Sequence, residues 1–318
     1  MRLLLSSVLL SLAWFGIVSL ISSAAAWVMA HAIERSGRSF GAGTLLAVRL
    51  FPSASALLFV FAVFLPAHWR FEPSQTDEAF GVLLGTPAIV AAALILRSGW
   101  RAANAVWLGY RFASLTDRAS RRLASGTFQI DALPGLALAG IVRPRILVGS
   151  ETLAALTPAE LDIAICHEAA HRWSHDNLKR FLMFCAPDLF GGSAAARRLE
   201  RAWQAAAECQ ADDRAVMGDD RRAVVLASAL VKVAQVCRHH QLMPGPVSSP
   251  AWSAFHVPSL LETRVRRLVG GRVVAPTDRR QLRVLVTLLA AGIPAGVWAL
   301  GLSSELHELT EVMVKFLP

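Results

Sequence analysis

The sequence predicts a mainly α membrane protein: four transmembrane helices, with a cytosolic α+β domain between the third and the fourth. Three observations predict it. Of 318 residues 54% are apolar and 17% charged, and the apolar ones gather in four long runs. Arginines crowd the interval between the third run and the fourth. That interval also carries a His-Glu-x-x-His pattern on a segment of helical spacing, preceded by short β-type runs.

The runs are Leu3–Ile33, Thr44–Pro66, Ala79–Leu96 and Val284–Leu302. Each is long enough to cross a ~30 Å hydrocarbon core as a helix. Arg49 lies near one end of the second run, where its stem can snorkel to the interface. The first run follows Arg2 and contains Ser23-Ala24-Ala25-Ala26, small residues of the kind found at cleavage sites. Its length of roughly 30 apolar residues exceeds the ~7–15 of a signal-peptide core, so it reads as a retained span. Phe181–Phe190 is apolar but short, and Pro187 and Asp188 break it. It reads as a core or membrane-surface segment.

Charge orients the spans. Arg97, Arg101, Arg111, Arg118, Arg121 and Arg122 follow the third run, and Arg272, Arg279, Arg280 and Arg283 precede the fourth. The positive-inside rule therefore puts everything between them in the cytosol. Arg35 and Arg38 suit an inner loop, whereas Glu72, Asp77 and Glu78 suit an outer one. Alternation leaves the N-terminus and the acidic tail (Glu305, Glu308, Glu311) outside.

The net charge of +9 is explained by this basic collar facing anionic lipid, so the bilayer is the first expected partner. No finger, basic-zipper or RNA-binding pattern is present, and direct nucleic-acid binding is not expected. Cys166, Cys185, Cys209 and Cys237 all fall in the cytosolic part, where thiols stay reduced. Three regions result: a membrane domain with an amphipathic connector over 1–125, a cytosolic domain over 126–280, and a last span with a short outer tail over 281–318. In the cytosolic domain, strands are expected at Thr127–Ile130, Leu136–Ala139 and Arg145–Val148. Helices are expected at about 157–175, 177–190, 194–217, 220–239 and 258–269, and a Pro-rich loop at Gln241–Pro258.

The helix bearing the motif has a readable start. Thr157-Pro158-Ala159-Glu160 supplies a Thr cap, Pro at the first helical position and a Glu to close a capping box. His167 and His171 are four apart, on one face, so both imidazoles can reach one metal ion. Glu168 follows the first His, where a carboxylate can take a proton from a metal-activated water. A third ligand is sought downstream, where Glu208 and Asp212 lie one turn apart on an alanine-rich segment. Glu208 suits the metal, and Asp212 suits the far ring nitrogen of a ligand His. The same two carboxylates also fit a solvated helix face paired with Arg201 and Arg214. His175 lies about 12 Å along the axis from His167, too far to share an ion, and reads as exposed or helix-terminal.

These features carry a family resemblance. Residues Ala139-Gly140-Ile141-Val142-Arg143-Pro144-Arg145-Ile146-Leu147-Val148 resemble a strand found upstream of the zinc helix in integral-membrane metallopeptidases. Leu156 to Leu161, His167 to His171 and Asp176-Asn177 continue the likeness. The layout of three spans, a cytosolic gluzincin-type domain and one more span is similar to the BlaR/MecR family of antirepressor peptidases. HtpX-type membrane proteases are close relatives of that family.

The resemblance implies one Zn2+ ion on His167, His171 and Glu208, with Glu168 as general base and acid and Asp212 behind a ligand. Arg264, in His256-Val257-Pro258-Ser259-Leu260-Leu261-Glu262-Thr263-Arg264, resembles a cleft residue that meets the oxyanion or the substrate. Function is then expected to be zinc-dependent endoproteolysis in a bacterial-type inner membrane, as a multi-pass protein with its active site facing the cytosol. The substrate would be a cytosolic or membrane-proximal protein, such as a transcriptional repressor or the chain itself. A homo-oligomer is admitted. HtpX-like quality control of membrane proteins and a non-catalytic zinc-binding scaffold are the alternatives. The penicillin-binding sensor domain of the family's receptors would follow the fourth span, where only about 15 residues stand here, so that route of sensing is not expected.

Overall fold

The computed structural model of the chain describes residues 2–71, 82–119, 121–124, 126–131, 133–239, 252–254 and 260–270, with four single positions near the C-terminus. Two compact units divide it: Met1–Trp100 with Cys185–Arg201 and Thr277–Pro318, and Arg101–Phe184 with Ala202–Pro276.

In the first unit, α1 (Arg2–Arg35) and α2 (Ala42–Phe59) are largely apolar helices. Helix α2 continues through a π-helical turn at Val60–Phe64 into α3 (Leu65–Phe71). Two stretches, Ser6–Arg35 and Ala42–Arg70, are long and apolar enough to cross a membrane. Residues of the third expected span from Val82 on open α4 (Val82–Ala119), while the fourth lies outside the described residues. Leu84, Ala88 and Ala91 of α4 join Leu10, Trp14 and Phe15 of α1 and Val60 and Phe64 in one apolar cluster. Gly16 makes the approach close: a Cβ there would lie 2.4 Å from the carbonyl oxygen of Pro87.

Arg49 does not snorkel. It is buried, pairing with Asp188 at 3.2 Å and with Glu200 at 2.6 Å. Asp188 also accepts hydrogen bonds from the Ser53 hydroxyl at 2.5 Å and the Gly191 N–H at 2.7 Å. A charge withdrawn from water needs a counter-charge, and the broken apolar stretch around Asp188 brings it.

The second unit holds a five-stranded sheet in the order β1-β2-β4-β3-β5. Its strands are β1 (Arg121–Ala124), β2 (Thr127–Ile130), β3 (Leu136–Ala139), β4 (Arg145–Gly149) and β5 (Trp252–Ala254). Strands β2 and β4 run parallel, and the remaining pairs are antiparallel. Strands β2, β3 and β4 stand where expected. Strand β5 falls in the segment read as a loop, of which the rest lies outside the described residues.

The helices are α5 (Ser150–Ala155), α6 (Pro158–Ser174), α7 (Asp176–Cys185), α8 (Ala194–Val216), α9 (Asp220–His239) and α10 (Leu261–Val269). Helix α7 stops at Cys185, five residues earlier than expected, because a residue before Pro187 is pushed out of the helical region. Leu138, Ile146 and Val148 of the sheet pack with Ile163 and Ala164 of α6 and Leu226, Leu230 and Val233 of α9. This core is the bed on which α6 is held. Gly149 ends β4 where no side chain fits: a Cβ would lie 1.8 Å from the Leu133 carbonyl oxygen.

Candidate metal centre

Helix α6 begins as its sequence dictates. The Thr157 hydroxyl accepts from the Glu160 N–H, and the Glu160 carboxylate accepts from the Thr157 N–H at 2.8 Å. Glu160 also accepts from Ser228 at 2.6 Å and Lys232 at 2.7 Å on α9. Burial favours its neutral form, but these donors outweigh it and hold the carboxyl down at about 2. The start of α6, on the same rigid helix as the motif, is thereby bolted to its neighbour.

Two turns on, His167 and His171 point the same way. Their Nε2 atoms are 3.1 Å apart, and Glu208 Oε2 on α8 lies 3.5 Å from the first and 3.6 Å from the second. All three residues are buried, and these donor atoms form a cluster that could hold a metal ion. Asp212, one turn past Glu208, stands 3.0 Å from His167 Nδ1. Asp176 Oδ2 stands 2.8 Å from His171 Nδ1. With each Nδ1 donating to a carboxylate, each Nε2 is left with its lone pair aimed at the shared point.

Burial and close opposite charges set the charge of each group here. Burial alone would lower the pKa of His171, yet the Glu208 and Asp176 carboxylates raise it to about 10. A proton there relieves two opposed lone pairs, as a metal ion would. Burial would raise Glu208, but His171 and Arg264 hold it well below the usual carboxylate range. Glu168 is the opposite case: burial dominates and raises its pKa, and neither of its carboxylate oxygens has a hydrogen-bond partner among the described residues. An orphaned buried carboxylate beside two imidazoles and a second carboxylate is the chemistry a divalent cation and its water complete. The residues fit a metal ion.

Arg264, from α10, enters the centre. It is 2% exposed. Its Nε and Nη2 donate to the two oxygens of Asp212 at 2.9 and 2.6 Å, and its Nη1 lies 3.0 Å from Glu208 Oε2. The guanidinium thus ties the two acidic residues of α8 together. His175 caps α6 in a left-handed conformation (φ 56°) and is exposed.

Two groups at the centre escape the sequence reading. Asp176 enters it only within the Asp176-Asn177 likeness, with no role at the centre. The left-handed His175 folds it back onto His171, and an Asp just past the helix end, five residues after the second His, is the signal that could have found it. Arg180, on α7, reaches within 3.8 Å of Glu208 Oε1, and nothing in the local pattern marks it.

No family model matches the chain, and no curated protein matches it.

Proposed function

We propose that this chain is an integral-membrane zinc metalloendopeptidase whose site faces the cytosol, acting on a cytosolic or membrane-proximal protein such as a transcriptional repressor or itself. The observation that carries the reading is the convergence of His167 Nε2, His171 Nε2 and Glu208 Oε2 beside the Glu168 carboxylate, which is unpartnered among the described residues. Tetrahedral coordination at bond lengths of ~2.0–2.1 Å separates ligand atoms by roughly 3.3–3.4 Å. The separations of 3.1, 3.5 and 3.6 Å bracket that value. Two imidazoles and one carboxylate favour zinc and leave a fourth position for water.

The ion, when bound, supplies Lewis acidity toward a water and the scissile carbonyl. The chain does the rest. Asp176 and Asp212 orient the two imidazoles and fix which nitrogen carries hydrogen. Glu168, whose basicity its burial raises, takes the proton from the attacking water and delivers it to the departing amine. The four-span layout rests on the four apolar runs of the sequence, and the cytosolic orientation on its arginine asymmetry. Two helical stretches long and apolar enough to cross a membrane support the setting.

The test is zinc content and proteolysis in the detergent-purified full-length chain, with casein as probe. About one zinc per chain is expected in the wild type, and loss of it in His167→Ala and Glu208→Ala. Glu168→Gln should keep the zinc and lose at least ~100-fold in cleavage. Full cleavage by Glu168→Gln would refute the role of Glu168 as the base, and no cleavage by the zinc-loaded wild type would refute the enzymatic reading and favour a zinc-binding scaffold.

A further inference from the structure

The two oxygens of Glu208 meet different neighbours. Oε2 faces the histidine pair and also touches Arg264. Oε1 faces Arg180 on α7, whose Nη2 lies 3.8 Å away. The Arg180 guanidinium is itself seated, its Cζ 5.8 Å from the ring centroid of Trp203 on α8. Trp203 is among the largest fully buried side chains, and the Arg180 side chain is only 16% exposed. Water therefore screens the Arg180–Glu208 pair little.

We propose that Arg180, braced on Trp203, is a positioning residue of the metal site, holding the outer oxygen of Glu208 so that the inner one is presented to the histidine pair. The inference rests on the metal-site reading above.

The need for such a residue follows from the chemistry of the side chain. The terminal torsion of Glu is broad and nearly two-fold, so a carboxylate plane is not fixed by its stem. A cation on one oxygen fixes it. Of the two arginines on Glu208, Arg264 touches the oxygen a metal ion needs. Arg180 takes the other, and its contact is compatible with coordination through Oε2. A rigid brace makes that contact useful, and the buried indole face supplies one. Groups placed behind a metal ligand in this way typically carry about 10–100-fold in metal affinity.

The sign of the effect separates this role from that of a bystander. A cation that merely stood nearby would repel a dication, and removing it would tighten binding. A positioning cation does the reverse.

The experiment uses the full-length chain in detergent, with zinc affinity read by competition against a chromophoric chelator. The visible spectrum of the cobalt(II)-loaded protein and the melting temperature of the metal-free protein are read beside it. Arg180→Gln should weaken zinc binding by about 10–100-fold and shift the cobalt bands. Arg180→Lys, which keeps a charge on Oε1 and over the ring, should return affinity to within about tenfold of wild type. Unchanged or tighter binding in Arg180→Gln, with a wild-type spectrum, would overturn the proposal. So would a lower melting temperature with affinity and spectrum intact, which is the mark of a purely structural residue. Wild type and His167→Ala binding zinc alike would overturn the metal-site reading itself, and the role of Arg180 with it.

Discussion

Replacing Arg264 with Met should destabilise the metal-free protein by about 3–5 kcal/mol. The magnitude follows from what the substitution strands. Asp212 is fully buried and accepts a forked pair of charge-assisted bonds from Arg264 at 2.9 and 2.6 Å. Each such bond contributes about 1.5–3 kcal/mol, and the side-chain volume is largely kept by Met, so little of the loss comes from a cavity. Removing the guanidinium leaves Asp212, among the described residues, with the His167 imidazole, and takes from Glu208 Oε2 the cation 3.0 Å away. At roughly 2–4 °C per kcal/mol for a domain of this size, the melting temperature should fall by about 6–20 °C. Scanning calorimetry of the full-length chain in chelator reads this without interference from metal. An Asp212→Asn variant and the double variant complete a cycle, whose coupling energy should reach about 2–3 kcal/mol. A single-variant loss under about 1 kcal/mol, or a coupling near zero, would refute the claim that this buried pair holds α10 to α8.

Arg49→Ala should cost about 3–5 kcal/mol by leaving Asp188 buried without its cation, and an unchanged thermal transition would show that the pair does not hold the first unit together. Gly149→Ala should cost at least ~2 kcal/mol, since its Cβ would lie 1.8 Å from a backbone oxygen that cannot swing away, and a wild-type melting temperature would disprove the close contact. Glu160 gives a pH dependence of definite sign. Its folded value of about 2 is below its ordinary 4.5, so its stabilisation is complete above pH 4.5 and disappears as pH falls through about 2. Allowing for screening at the partly exposed Lys232, the effect is about 1–2 kcal/mol. Melting temperature plotted against pH between about 5 and 2 should be flatter in Glu160→Gln than in wild type, and parallel curves would contradict the assignment.

What could be read from the sequence is what is local. The Thr157–Glu160 cap, the four-residue spacing of His167 and His171, and the one-turn spacing of Glu208 and Asp212 each lie within a single helix. Helical geometry alone fixes which side chains share a face. The same reasoning failed where a residue's fate depends on something far along the chain. Arg49 has the length and position to reach an interface, and acids far along the chain, Asp188 139 residues away and Glu200 beyond it, make its burial tolerable. Its partner was nonetheless visible as an anomaly, an acid interrupting another apolar stretch. Two opposite charges in two apolar segments are in themselves a reason to expect a pair. Asp176 is intermediate: one left-handed residue, His175, turns the chain and brings it onto His171, and a His can adopt that conformation without announcing it. Arg180 and Trp203 are legible only in three dimensions, because the face of Glu208 that they meet is defined by where α7 lies against α8. The residues that could hold a metal ion, and Asp212 behind them, could therefore be named from spacing, whereas Arg180 and the turn that brings Asp176 onto His171 could not. A search for such sites should accordingly look beyond the ligand helix, for buried arginines and for acids just past helix ends.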